Sequence, residues 1–335
     1  GPFAQLAKLL GDTKPGKDPI SLSIGDPSGA VPDFVKEALA KGASGFGNYP
    51  AIIGTQDWRQ AAAGWLNRRF ALNGAIDAEK NLLPLNGTRE GLFSVLFPLM
   101  PESKAGGRPI VAMPNPFYQC YAAAALSSGA EPLYVPAQKE NGFLPDFAGL
   151  PEETLQRVAA VYICSPSNPE GAVADRTYWT ALFALADRYD FVVLADECYA
   201  DIWFDKEPVC ALPSRLAQTG NFARLLTFHS LSKRSGLPGL RSGMVAEVEI
   251  AATPGEASTA ALLVPTLSLL DARADQGIVF VVDAQGVARR RAVTTAGVTQ
   301  AGVIVISGLE PGDRVISAGA AYVRDGDTVR IAAGT

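Results

Sequence analysis

Hydrophobic spacing changes at Gly243, and the change demands two kinds of fold from one chain. Before it, residues 31–40 and 55–72 carry apolar positions at helical spacing, and Gly87-Thr88 opens another helical run through Leu99. Short apolar runs at 109–113, 159–164, 191–195 and 225–228 have the length of buried strands, and 175–189 reads as a helix of about four turns. Strand, helix and strand at this interval predict a mainly parallel sheet with helices on both faces. After Gly243 the runs shorten. Residues 244–250 alternate apolar and polar, and 278–283 turns at Gln285-Gly286 into 287–293. Runs at 303–306, 314–316 and 328–331 follow, set apart by Glu310-Pro311-Gly312-Asp313 and Asp325-Gly326-Asp327. Short strands between turn signals predict a small all-β module. All the tryptophans, all the cysteines and the only histidine precede residue 244, and Lys233 is the last lysine. No Ser/Pro-rich or charged spacer, internal repeat or low-complexity tract separates the halves.

At 335 residues the chain has room for two domains. Hydrophobic residues at 48% and charged residues at 19% exclude a disordered or fibrous chain, and a net charge of −5 gives no basic surface for nucleic acid. No apolar run is long enough to cross a bilayer. Gly1-Pro2-Phe3-Ala4-Gln5 shows no secretory signal and no Met, so the expectation is a cytoplasmic protein with a trimmed or incomplete start. Cys120, Cys164, Cys198 and Cys210 form no CxxC, and His229 is the only histidine. Reduced, packed thiols and no metal site are expected.

The candidate chemistry gathers around Lys233, in Ser230-Leu231-Ser232-Lys233, with Arg241 eight positions on. A lysine amine condenses with an aldehyde cofactor, and the product needs an electron sink beside it. A pyridine ring is that sink while its nitrogen stays protonated, and Asp196, at the carboxyl end of the 191–195 strand, is placed to keep it so. Gly87-Thr88-Arg89 lies at a strand-to-helix junction, where free amides and the helix dipole face an anion. Ser230 adds a hydroxyl and Arg241 a bidentate fork. Asn168 and Tyr199 can hydrogen-bond a ring oxygen, and Tyr118 can stack on the ring face. The set matches the needs of pyridoxal 5′-phosphate. Taken singly, each has an ordinary explanation: a solvated lysine, an acidic loop, a turn at Ser167-Asn168-Pro169, a surface arginine, packed tyrosines. Their joint occurrence in this order carries the reading.

On these motifs residues 1–243 resemble a fold-type I, class I/II aminotransferase, nearest to the bacterial succinyldiaminopimelate aminotransferase branch. Ser21-Leu22-Ser23-Ile24-Gly25-Asp26-Pro27 resembles the family's substrate loop, which implies a substrate contact at Gly25. Asn48-Tyr49-Pro50 with Gly54 resembles its next landmark, and the resemblance implies that Tyr49 reaches the cofactor phosphate of a second subunit in a homodimer. Gly87, Thr88 and Arg89 match the phosphate turn. Tyr118 matches the stacking residue, Asn168 and Tyr199 the ring-oxygen ligands, and Asp196 the pyridinium partner. Ser230, Lys233 and Arg241 match the phosphate serine, the Schiff-base lysine and the phosphate arginine. The implied reaction moves an amino group between an amino acid and a 2-oxo acid, with Lys233 as general base and acid at Cα; succinyldiaminopimelate and 2-oxoglutarate are the implied pair, in lysine biosynthesis.

Past Gly243 the resemblance stops. The family continues with further strands and a small domain whose arginine grips the substrate carboxylate. Arg289, Arg290 and Arg291 lie in a strand-like run, and neither they nor Arg324 or Arg330 match that arginine. The large domain therefore reads as incomplete. Residues 244–335 instead resemble the C-terminal part of a periplasmic adaptor (membrane fusion protein) of RND efflux pumps. Residues 243–250 resemble its last β-barrel strand, and 263–267, 279–283, 287–291 and 307–315 its membrane-proximal domain. Three readings stay open: a transaminase impaired by truncation, an adaptor fragment that docks on an efflux transporter, and a non-functional chimera.

Overall fold

The structure, a computed structural model, describes residues 2–14, 16–18, 20, 25, 27, 29–246, 262–273, 275–299, 302–317 and 319–329. The chain forms two compact units, Gly1–Ala251 and Ala252–Thr335.

The first unit opens with helices α1 (Pro2–Leu10), α2 (Asp33–Gly42) and α3 (Gln56–Arg69). The Thr55 hydroxyl starts α3 by accepting from the Trp58 amide at 3.3 Å. Strand β1 (Leu82–Leu85) leads into α4 (Thr88–Ser94) and the short α5 (Leu96–Leu99), so the helical run expected from Thr88 to Leu99 is two pieces. Then come β2 (Ile110–Asn115), α6 (Gln119–Ser127), β3 (Glu131–Pro136) and α7 (Glu152–Arg157). They are followed by β4 (Val158–Cys164), α8 (Arg176–Tyr189), β5 (Val192–Asp196) and α9 (Ala211–Thr219). Strand β6 (Leu225–Ser230), the single turn α10 (Leu231–Arg234) and β7 (Gly243–Ala246) complete the unit. Asp175 caps α8 by accepting from the Tyr178 amide at 2.8 Å. At the other end of α8, Lys104 Nζ donates to the carbonyls of Tyr189, at 2.9 Å, and Val158, at 2.6 Å, joining α8 to β4.

The seven strands run in the order β1-β7-β6-β5-β4-β2-β3. Pairs β2/β3, β2/β4, β4/β5 and β5/β6 are parallel, and β7 is antiparallel to both neighbours. Alternate side chains serve opposite faces, as strand geometry requires. Ile163, Val193 and Leu225 join Leu66, Phe70, Trp179 and Phe183 under α3 and α8. Tyr162, Leu194 and Phe228 join Leu92, Leu96, Tyr121 and Ala124 under α4 and α6. This is the mainly parallel sheet with helices on both faces that the spacing predicted.

The junction differs from the expectation. Met244, Val245 and Ala246, read with an adaptor β-barrel strand, sit inside the large sheet between β1 and β6. All four residues of β7 are buried, and Met244 and Val245 face opposite cores. Alternation alone did not reveal that both faces are covered. The sheet is therefore not cut at Gly243; its ladder runs unbroken through β7, and residues 247–261 lie outside the described residues.

The second unit is an antiparallel sheet in the order β8 (Leu262–Val264), β12 (Gly302–Ser307), β11 (Ala288–Thr299), β10 (Gln276–Val282), β9 (Leu270–Arg273). Its core is Val264, Val279, Val281, Val293, Val303 and Val305. The 283–287 turn is closed by Asp283, whose Oδ1 accepts from the amides of Gln285, at 3.0 Å, and Val287, at 2.9 Å. The runs at 314–316 and 328–331 make only isolated bridges, Val281 to Val315 and Val287 to Thr328, with 330 and 331 outside the described residues. Arg289, Arg290 and Arg291 lie on β11, paired with Asp283, Asp271 and Asp313.

Candidate functional site

The topology collects the candidate residues at one edge of the large sheet. Strands β2, β4, β5 and β6 end there with Asn115, Cys164, Asp196 and Ser230. Because β7 runs the other way, it begins at that edge: Gly243 faces Ser230 on one side and Leu85 on the other. Tyr118, Asn168, Asp196, Lys233, Arg241 and the Gly87 turn thus meet where an open parallel sheet binds ligands.

Asp196, 5% exposed, is the buried anion of this edge. It accepts from the Tyr121 hydroxyl at 2.7 Å and from the Cys198 amide at 3.3 Å. Tyr121 is held by stacking on Tyr162, ring centroids 4.4 Å apart. Burial raises the Asp196 pKa, and these hydrogen bonds oppose the rise. No ion pair to Asp196 occurs among the described residues, so a cation arriving beside it would relieve the desolvation.

The anion cradle lies at the start of α4. Gly87 has φ +98° and ψ 149°, a backbone that side chains avoid, and a Cβ there would stand 2.8 Å from Arg241 Cζ and 2.9 Å from Glu90 Oε2. Arg241 Nη2 donates to Glu90 at 3.0 Å. Gly243 is equally constrained: a Cβ would meet the His229 carbonyl at 2.9 Å and the Thr88 amide at 3.3 Å. Thr88 is buried against Cys198, 3.3 Å from hydroxyl to sulfur. Ser230 caps α10 by accepting from the Ser232 amide at 3.0 Å. Gly87→Ala is expected to cost about 1–3 kcal/mol of stability from backbone strain alone. Urea unfolding followed by tryptophan fluorescence measures the loss, and inorganic phosphate should protect the parent chain but not the variant.

Lys233 sits half-buried on α10, and its Nζ donates to the Gly25 carbonyl at 3.2 Å. Asn168 Nδ2 donates to the Tyr199 hydroxyl at 3.2 Å, and burial pushes the Tyr199 phenol up to about 12. Tyr118 pairs with Arg89, whose Nε donates to the Tyr118 hydroxyl and whose guanidinium lies 5.7 Å from the ring centroid. Tyr49 lies apart, fully exposed at 102%. Of the proposed substrate loop, residues 21–24 and 26 lie outside the described residues. Tyr121 escaped the sequence reading and carried no signal of its own, whereas Glu90 closes the 86–90 stretch that resembles the phosphate turn. The cysteines are free thiols, and no metal-type cluster occurs among the described residues. No helix among the described residues is long and apolar enough to cross a membrane.

A buried carboxylate at a strand end, a lysine one turn beyond the next strand, and a glycine turn closed by an arginine fit pyridoxal 5′-phosphate: Asp196 for the ring nitrogen, Lys233 for the aldehyde, and Gly87, Thr88, Ser230 and Arg241 for the phosphate. The chain is 35% identical over 247 residues to an LL-diaminopimelate aminotransferase of Desulforudis audaxviator (strain MP104C), covering 73% of this chain and 60% of that protein. It is 33% identical over 290 residues to the Maridesulfovibrio salexigens protein of that name, covering 85% and 69%. An aminotransferase structure from Neisseria meningitidis Z2491 matches with a TM-score of 0.67 and 39% identity, over 73% of this chain and 62% of that one. A probable N-succinyldiaminopimelate aminotransferase from Thermus thermophilus matches with a TM-score of 0.61 and 27% identity, over 69% and 60%. The chain thus spans about 60% of the length of its first curated relatives. Residues 260–322 match the family "RND MFPs, C-terminal permuted SH3 domain". Residues 17–286 match "Aminotransferase class I and II", a family that works with pyridoxal 5′-phosphate, and the chain belongs to that aminotransferase family.

Proposed function

We propose that the first unit binds pyridoxal 5′-phosphate and transfers an amino group between an amino acid and a 2-oxo acid of the diaminopimelate type. The observation that carries this reading is the convergence of Asp196, Lys233 and the Gly87–Arg241 cradle at one sheet edge. When bound, the cofactor supplies the electron sink for breaking a bond at the substrate's Cα. Asp196 holds a proton at the ring nitrogen. Asn168 and Tyr199 hold the ring oxygen, Tyr118 covers the ring face, and Arg241 with Ser230 fixes the phosphate. Lys233 moves the proton at Cα as general base and acid. The names of the relatives support diaminopimelate or its succinyl derivative as donor, and the half-reaction with each separates the two. The exposed Tyr49 suits the role of reaching a second copy's cofactor, so the working form is a homodimer.

Loading the purified chain with cofactor, reducing with borohydride and mapping peptides tests the site. The label is expected on the peptide containing Lys233; a label elsewhere, or none, overturns it.

The match over 260–322 supports a second reading for the C-terminal unit, an adaptor-type module that follows an aminotransferase large domain. Sequencing codons 240–262 from independent template tests whether that fusion is natural. Co-purification with an inner-membrane transporter would give the module its adaptor role, and a non-functional chimera would take up no cofactor.

A further inference from the structure

We propose that Asp201, Arg234 and Trp65 are positioning residues that hold the Lys233 turn in register with the Tyr199 loop. Helix α10 is a single turn, too short to be stable by itself. Behind it opens an apolar cleft of about 160 Å³, lined by Trp58, Ala61, Trp65, Leu231 and Met244, so close packing does not fix the turn there. Polar contacts take its place. Arg234, next to Lys233, stands with its Nε 2.9 Å from Asp201 Oδ2 and its guanidinium 4.1 Å from the Trp65 ring centroid.

Asp201 is shared. Its Oδ1 accepts from Arg69 Nε at 2.6 Å, and Arg69 also donates to the Ala200 carbonyl at 3.1 Å. Asp201 lies in the turn that carries Tyr199, where the Ile202 amide donates to the Tyr199 carbonyl at 2.9 Å. One carboxylate thus ties α3, the loop after β5 and the α10 turn. Lys233 and Tyr199 address the same end of the cofactor in the function proposed above, on which this inference rests, and Asp201 fixes their separation. It also supplies a negative charge shared by the Arg69 and Arg234 guanidinium groups, of which Arg69 is paired with Glu207 as well and Arg234 is next in sequence to the lysine.

The test compares the parent chain with D201N, D201E, R234M and, as a control for exposed pairs, R188M. In D201N the Ser235 and Gly236 amides, bonded to Leu231 and Lys233 carbonyls, should exchange with deuterium at least tenfold faster in cofactor-free protein. Cofactor affinity should fall about tenfold. The pH midpoint of the bound cofactor's visible band should drop by about half a unit or more, because two positive charges lose their common partner. D201E should recover part of each effect and R188M should show none. R234M opens the same clamp from the other side, so it decides the matter where D201N does not fold. Parent-like exchange, affinity and band midpoint in both D201N and R234M overturn the proposal. A parent chain that takes up no cofactor overturns the function instead, and the amide exchange rates then decide the clamp by themselves.

Discussion

Asp196→Ala is expected to weaken pyridoxal 5′-phosphate binding about a thousandfold, read from absorbance titration. A charge pair about 4 Å apart is worth roughly 4 kcal/mol at an effective dielectric near 20, which is three decades in affinity. The setting favours that size, since Asp196 is buried and its two hydrogen bonds come from neutral donors. The alanine also strands the Tyr121 hydroxyl, which costs about 1–3 kcal/mol of stability. Asp196→Asn separates the two effects, because the amide oxygen still accepts from Tyr121 while the charge is gone. The asparagine chain should fold like the parent and bind cofactor as poorly as the alanine chain. If it binds normally, no ring-nitrogen cation is held there. The pH dependence has a fixed sign. Burial raises the Asp196 pKa, so cofactor affinity should fall as pH drops through that raised value and the carboxylate is lost.

The residues of this site were legible because the chemistry restricts them by type. An amine, a carboxylate at a strand end, a glycine turn and an arginine fork admit few substitutes, and their order along 87–241 placed them before any fold was known. The residues that hold them were not legible. Tyr121 reaches Asp196 across 75 positions, and Arg69 reaches Asp201 across 132, so no spacing rule links them. Nothing in the sequence singled out Asp201, Arg234 or Trp65. The sheet itself was half legible. Buried runs marked β2, β4, β5 and β6, but β1 begins with Leu82-Leu83-Pro84 and β3 with Glu131-Pro132, where proline argues against a strand. These are the two edge strands, where a sheet readily tolerates the missing donor. Strand β7 was misread for the opposite reason: four residues are too few to tell a strand buried on both faces from the alternating start of a β module.

Glu197→Gln is expected to stabilise the cofactor-free first unit by about 3 kcal/mol at pH 8 and by almost nothing at pH 4. Glu197 and His229 are both buried, Oε2 and Nε2 lie 3.5 Å apart, and neither atom has a hydrogen-bond partner. Burial drives both toward neutrality, lifting Glu197 to about 7 and lowering His229 to about 3. The folded pKa of Glu197 lies above its ordinary value, so its contribution is whole below about 4.5 and is lost as pH rises through about 7. His229 is shifted the other way, and its contribution is whole above about 6.5 and lost as pH falls through about 3. Only the first loss disappears in the variant. Glutamine keeps the oxygen that accepts from the Ala211 amide at 2.7 Å, and its amide can donate toward His229 without ever carrying charge. All the tryptophans precede residue 244, so their fluorescence in urea reports this unit alone. A stability gain that stays the same from pH 4 to pH 8 would mean that Glu197 is not the group whose ionisation strains the fold between β5 and β6.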